Sequence, residues 1–338
     1  MNLPGRVYQA IPEFEDHLRR ELGTWDAVRG PLYFAGTPPS GPVFWYRNIW
    51  LDPRRIEFDS ISEAAAALRG IQRNWAPVLF TEFRRGALIN AKLPPISAKP
   101  RPFPWPVPGT PVGAWTLLDA RTLVASPRCA SPFPEGVIEF EEDREGPPSR
   151  AYLKLWEALT RCRRWPGPGD RCLDAGASPG GWTWALTRLG AAVTAVDRAP
   201  LDPRIAAVTG NAVTGNGAAE SAGTEDAAPG PGLLAAGRPK VDFIRHDAFT
   251  LKPEDLGPMD WVFSDVICYP SRLYEWVERW LASGLCENFV CTIKMQGGEP
   301  DMETVRLFAE IPGGMVTHLY HNKHELTWMK IKDGGPVR

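Results

Sequence analysis

From Ser149 onward, amphipathic stretches of helical spacing alternate with short apolar runs, and few folds satisfy that alternation. An open, mainly parallel sheet covered by helices on both faces does so, because each buried strand reads as a nearly continuous apolar run. The spacing predicts helices over 150–161, 181–189, 271–283 and 302–311, and strands over 171–174, 192–196, 241–245, 260–264 and 289–293. A last strand pair, 315–319 and 325–331, closes the chain as a hairpin. The fold class expected for 148–338 is therefore α/β, a Rossmann-like sheet with a C-terminal hairpin. Within it, residues 205–237 are rich in Gly, Ala, Asn and Thr, with too little apolar surface to offset the entropy of ordering them, so a flexible insertion is predicted.

The chain has 338 residues, enough for two domains at about 150 residues each. Residues 1–98 read as a smaller α+β accessory domain, with an amphipathic stretch at 13–22, a β-like run at 43–50, helix at 62–70 and a further strand at 78–83. Prolines crowd 94–111, removing backbone donors and forbidding helix, so 99–147 is expected to be a stiff connector carrying one short hairpin at 114–125. Lys plus Arg at 38 against Asp plus Glu at 40 gives a net charge of −2, which excludes gripping nucleic acid by bulk charge; an anion-binding surface must be local. The sequence has no apolar run long enough to span a bilayer, and its first 20 residues carry Glu13, Glu15 and Asp16 where a signal peptide needs basic and then apolar residues. Six scattered cysteines without a CxxC pair suit neither a disulfide scaffold nor a zinc site. A cytoplasmic, monomeric protein without metal is expected.

The segment Leu173-Asp-Ala-Gly-Ala-Ser-Pro-Gly-Gly-Trp182 follows a predicted strand and opens a helix. Glycines there let the backbone turn tightly and let a ligand approach its amides, a pattern compatible with NAD, FAD or S-adenosylmethionine. Two features favour the methyl donor. The glycine spacing is GxxxGG instead of GxGxxG, and Asp174 precedes the first glycine, where a carboxylate would repel a pyrophosphate but tolerate a sulfonium and an amino group. The expected cofactor site is Asp174, Gly176, Ser178, Pro179, Gly180, Gly181 and Trp182, although helix packing competes for Trp182. Asp197 ends the second strand at the distance along the chain where a carboxylate accepts ribose hydroxyls. Asp247 follows the third strand and is placed to accept from an adenine amino group, and Asp265 follows the fourth.

Four ionisable residues fall where a doubly wound sheet presents its reactive edge: Lys154 before the first strand, Asp265 and Lys294 closing apolar strands, and Glu325 opening the last one. Taken singly, Lys154 reads as a surface pair with Glu157, and Glu325 as a solvated charge. Taken together they form a candidate catalytic set.

Residues 173–182, Trp261–Asp265, Cys291–Lys294 and Tyr320–Glu325 resemble the FtsJ/RrmJ-like ribose 2′-O-methyltransferases, whose signature is a Lys-Asp-Lys-Glu tetrad. Ser131–Gly136, Pro148–Lys154 and Leu319–Thr327 look more closely like the RlmM branch of that family. The resemblance implies an S-adenosylmethionine-dependent enzyme that methylates a cytidine ribose of large-subunit rRNA, with a THUMP-like RNA-binding region at its N-terminus. It assigns the tetrad to Lys154, Asp265, Lys294 and Glu325. In this scheme Lys294, once neutral, takes the 2′-hydroxyl proton. Lys154 and the sulfonium lower its pKa by like-charge repulsion, Asp265 orients it, and Glu325 fixes the lysines. Competing readings are methylation of another RNA, a non-catalytic RNA-binding or assembly protein on the same fold, and a nicotinamide oxidoreductase.

His318, His321 and His324 form HxxHxxH, but a strand-turn-strand scatters such side chains and no matching ligand set is evident. For RNA contact the best local strip is Arg84, Arg85, Lys92, Lys99 and Arg101, with Phe83, Phe103 and Trp105 available for stacking. An exposed linker flank is the competing reading of that strip.

Overall fold

The computed structural model describes residues 1–97, 99–205, 240–296 and 300–332, and its chain forms two compact units. One comprises Met1–Glu142, Trp156–Arg164 and Pro300–Arg338; the other comprises Asp143–Leu155 and Trp165–Glu299. Most of the insertion expected at 205–237 lies outside the described residues.

The first unit begins with β1 (Arg6–Gln9), α1 (Glu15–Leu22), β2 (Ala27–Arg29), β3 (Leu32–Ala35) and β4 (Asn48–Trp50), whose strands make an antiparallel sheet in the order β2-β3-β1-β4. The β-like run at 43–50 shortens to β4. Phe44 and Trp45 instead donate their backbone N–H groups to the Glu21 carboxylate at 2.9 and 3.0 Å, which satisfies that backbone without a strand partner. Next come β5 (Arg54–Glu57), α2 (Ile61–Ile71), β6 (Trp75–Pro77), α3 (Phe83–Asn90), β7 (Gly113–Leu117) and β8 (Thr122–Ser126). Helix α2 starts where Ser60 Oγ accepts from Glu63 N at 3.1 Å, and its Ala64, Ala65 and Leu68 pack into a core with Trp75, Trp115, Leu117 and Leu123.

Two expectations change here. The run 78–83 is not a strand: β6 ends at Pro77, residues 78–82 are loop, and α3 begins at Phe83, where Gly86 lowers helix propensity but leaves room for Leu79, whose Cδ1 would lie 2.6 Å from an added Cβ. The hairpin β7-β8 is present, but as the interior of a second sheet ordered β5-β8-β7-β6. The proline-rich stretch thus joins strands of one sheet within one compact unit.

In the second unit, β9 (Arg171–Ala175), α5 (Gly181–Arg188), β10 (Ala192–Asp197), β11 (Val241–Arg245), α6 (Pro253–Leu256), β12 (Trp261–Ser264), α7 (Pro270–Ser283) and β13 (Phe289–Lys294) follow in turn. The strands are parallel and ordered β11-β10-β9-β12-β13, so the order reverses at β9 and β12. This is the doubly wound α/β architecture expected, and a crevice opens at such a switch point outside the carboxyl ends of the strands. Helix α7 buries Leu273, Trp276, Val277 and Trp280, one face at helical spacing. The C-terminal residues of the first unit supply α8 (Met302–Glu310) and the antiparallel hairpin β14 (Gly314–Thr317) and β15 (Glu325–Lys330).

Candidate active site

A cleft of ≈ 470 Å³ opens at the carboxyl ends of β9, β10, β12 and β13, within the size range of small-molecule sites. Of the predicted residues, Gly176, Ser178, Asp197, Asp247, Asp265 and Lys294 line it. After β9 the chain turns through Gly176 at φ 81°, and a Cβ there would stand 2.1 Å from Val266 Cγ2. Glycine is needed for both reasons. Asp197 closes β10 and fastens the turn: its carboxylate accepts from Ser178 N at 3.0 Å and from Ala199 N at 2.8 Å.

Asp174 is placed differently. It is buried behind the loop, accepts from Thr183 Oγ1 at 2.6 Å and does not line the cleft. Burial pushes its carboxyl up to about 7, against the opposing Thr183 bond. Pro179, Gly180, Gly181 and Trp182 also lie off the cleft lining. Trp182 is buried and donates its indole N–H to Ala151 O at 2.8 Å, while a Cβ on Gly181 would meet Ser149 Oγ at 2.4 Å. These residues set the helix against its neighbours.

Asp247 sits on the rim, bridged by the guanidinium groups of Arg198 and Arg272, the latter at 2.8 Å, and by Phe249 N at 3.0 Å. Burial works to raise its pKa, but the Phe249, Arg198 and Arg272 bonds outweigh it and hold the carboxyl below the usual range. The two arginines were not legible as site residues, nor were Val266, Ile267 and Phe249, which give the cleft its apolar wall.

At the inner end, Asp265 joins three donors. Lys154 Nζ, from α4 (Tyr152–Cys162), reaches its two oxygens at 2.9 and 2.8 Å; Lys294 Nζ and Thr292 Oγ1 each reach Oδ1 at 2.6 Å. The three charged side chains are only 11–17% exposed. Burial alone would raise the Asp265 pKa, yet the lysines keep it below the ordinary carboxylate value, so it is ionised at neutral pH. Glu157, which the sequence offered as a partner for Lys154, is fully buried and holds Arg161 and the backbone N–H groups of Tyr320 and His321. Glu325 is the buried first residue of β15, in the first compact unit.

Residues 147–297 match the FtsJ-like methyltransferase family. Two curated relatives named Ribosomal RNA large subunit methyltransferase M resemble more of the chain. The one from Azotobacter vinelandii is 30% identical over 220 residues, 60% of this chain and 53% of its own. The one from Xanthomonas axonopodis pv. citri is 28% identical over 288 residues, 80% of this chain and 70% of its own. The chain thus spans about half the length of the first relative and more of the second. A solved magnesium protoporphyrin IX methyltransferase from Synechocystis with bound S-adenosylmethionine is 15% identical, with a TM-score of 0.30 over 48% of this chain and 71% of that one.

Outside the matched segment, Arg84 stands exposed on α3 and Lys92 just after it, while Arg85 lies over the Phe58 ring, 5.5 Å from its centroid. Lys99 is exposed. Arg101 is tied to Ser97 O at 2.8 Å, stacks over Trp105 and pairs its backbone with Glu139 and Glu141 in a β-bridge to Phe140, which sets acidic residues beside it. His318 is buried with its Nε2 2.9 Å from Lys323 O, whereas His324 Nε2 lies 3.2 Å from His17 Nε2. The HxxHxxH residues therefore point to different partners, and among the described residues no group of three or more His, Cys, Asp or Glu is arranged to hold a metal. No helix among them is long and apolar enough to cross a membrane.

Proposed function

We propose that the protein is an S-adenosylmethionine-dependent RNA ribose 2′-O-methyltransferase acting on a cytidine of large-subunit rRNA. The observation that carries this reading is the pair of lysines, Lys154 and Lys294, both donating to one buried Asp265 at the inner end of the cleft. The names of the relatives support the choice of rRNA, and an exposed Phe83 beside Arg84 on α3 supports RNA contact by the N-terminal region.

The cleft suits the methyl donor. Asp197 has carboxylate lone pairs left for a ribose diol, Val266, Ile267 and Phe249 offer an apolar wall for a purine, and the Gly176 turn leaves room for close backbone approach. When bound there, S-adenosylmethionine supplies a methyl group already activated by its sulfonium.

The residues of this chain then have to align and activate the hydroxyl. Neutral Lys294 keeps one N–H on Asp265 Oδ1, which aims its lone pair at the 2′-hydroxyl and lets Nζ take the proton. Lys154, fixed on both Asp265 oxygens, steadies the developing alkoxide. Glu325 is carried as the fourth member of the set on the resemblance to the family. The test is transfer from labelled S-adenosylmethionine to rRNA of cells lacking the protein, comparing wild type with Lys294→Ala and mapping 2′-O-methyl groups. Label on one cytidine ribose with wild type alone supports the reading; no transfer despite cofactor binding overturns it.

A further inference from the structure

Seven large apolar side chains stand exposed among the described residues, and two of them, Ile267 at 80% and Tyr269 at 64%, fall just after Asp265. A ring and a branched aliphatic side chain exposed two residues apart, on either side of the buried Cys268, forgo burial and are available for a contact. Their backbone is also held. Tyr269 is the residue before α7, at φ −65° and ψ 143°, with Pro270 as the first helical residue. Proline restricts the residue before it to this extended region, so the ring projects from a fixed stem. Ile267 lines the cleft together with Val266, and Asp265 lies two residues earlier with both lysines on it. One helical turn on, Arg272 leaves half its side chain exposed and is suited to a phosphate.

We propose that Tyr269, beside the cleft wall at Ile267, is the platform on which the base of the target nucleotide stacks, so that its ribose is delivered to Lys294. This rests on the RNA methyltransferase reading above and adds the substrate contact to it. An aromatic face accepts any base, which leaves sequence choice to other surfaces. Ribose chemistry at the inner end of the cleft requires the base to lie outside it, since the cleft itself takes the cofactor. Tyr269 is thus a positioning residue, acting on the nucleotide and not on the proton.

The experiment measures methyl transfer to rRNA by the full chain as wild type, Tyr269→Phe and Tyr269→Ala, with S-adenosylmethionine affinity by calorimetry and folding by circular dichroism. Loss of one stacked base predicts a KM for RNA raised roughly 10-fold or more in Tyr269→Ala, with Tyr269→Phe close to wild type. Cofactor affinity stays unchanged. A second substrate that is abasic at the methylated nucleotide erases the difference between wild type and Tyr269→Ala. Equal KM values for all three proteins on an active wild type overturn the platform, and so does weakened cofactor binding in Tyr269→Ala, which would put the ring against the donor. An inactive wild type overturns the enzyme reading instead.

Discussion

The Thr292 hydroxyl donates to Asp265 Oδ1 at 2.6 Å from the neighbouring strand. Lys294 reaches that same oxygen from two residues further along β13, so Thr292 fixes the carboxylate that holds the proposed base. Thr292→Val keeps the shape and removes the donor. With the carboxylate free to turn, kcat is expected to fall roughly 10- to 100-fold. Stability should fall by about 1 kcal/mol. Cofactor affinity should hold, and Thr292→Ser should restore turnover. A Thr292→Val enzyme with normal kcat would show that the lysines alone orient Asp265.

Lys294→Arg separates charge from proton transfer. Arginine keeps the ion pair with Asp265 but does not give up its proton in proteins. Methyl transfer is expected to drop by about 10²- to 10⁴-fold, the range of a lost general base. Circular dichroism and cofactor binding should match wild type. Near-normal transfer would leave Lys294 as an electrostatic post and remove it as the base.

The division between what could be read from the chain and what could not follows the range of the interactions. The strand ending at Ala175, the turn at Gly176 and the helix from Gly181 are local, so apolar runs and glycines mark them. Asp265 and Lys294 were legible because strand ends at a switch point must meet, whatever the intervening sequence, and Lys154 reaches Asp265 from α4. The bridge from Arg198 and Arg272 to Asp247 was not. It joins residues 49 and 25 positions apart and depends on the register of β10 on β11, which pairs Asp197 with Arg245, and on where α7 starts. The same reason hid the sheet around the proline-rich stretch, where β6 pairs with β7 across more than 30 residues. Asp174 shows a third case: its residue type suited a cofactor contact, but burial and Thr183 decide its place.

Asp197→Asn tests the turn. Both carboxylate oxygens accept from backbone N–H groups, of Ser178 and Ala199. An amide has one acceptor only, so one N–H then faces an NH₂ group. The loss of a charge-assisted bond predicts an S-adenosylmethionine Kd raised roughly 10- to 100-fold. Calorimetry with the purified variant measures it, and an unchanged Kd would move the ribose elsewhere in the cleft.

Gly176→Ala places a Cβ 2.1 Å from Val266 Cγ2 at a residue with φ 81°. Val266 has to move and the backbone is strained, which predicts a loss of about 1–3 kcal/mol. Because Val266 lines the cleft, cofactor affinity should fall with stability. Thermal melts with and without cofactor measure both, and an unshifted Tm would mean the turn relaxes without cost.

His318 gives the clearest dependence on pH. It is buried, its Nε2 meets Lys323 O at 2.9 Å and its Nδ1 has no partner, so burial lowers its pKa from 6.5 to about 4. The folded imidazole stays neutral down to about 4, while the unfolded one binds a proton below 6.5. Its contribution is therefore complete above 6.5 and is lost as the pH falls towards 4, by about 3 kcal/mol in all. Glu21 and Asp174 act in the opposite sense, because burial raises both to about 7 and the folded state takes their protons first as the pH falls. The wild-type curve mixes these terms, but the difference between wild type and His318→Gln isolates one. Urea titrations between pH 4 and 8 should show the two proteins diverging below 6.5, with wild type losing more stability. Parallel curves would mean that His318 takes up its proton without leaving the folded state.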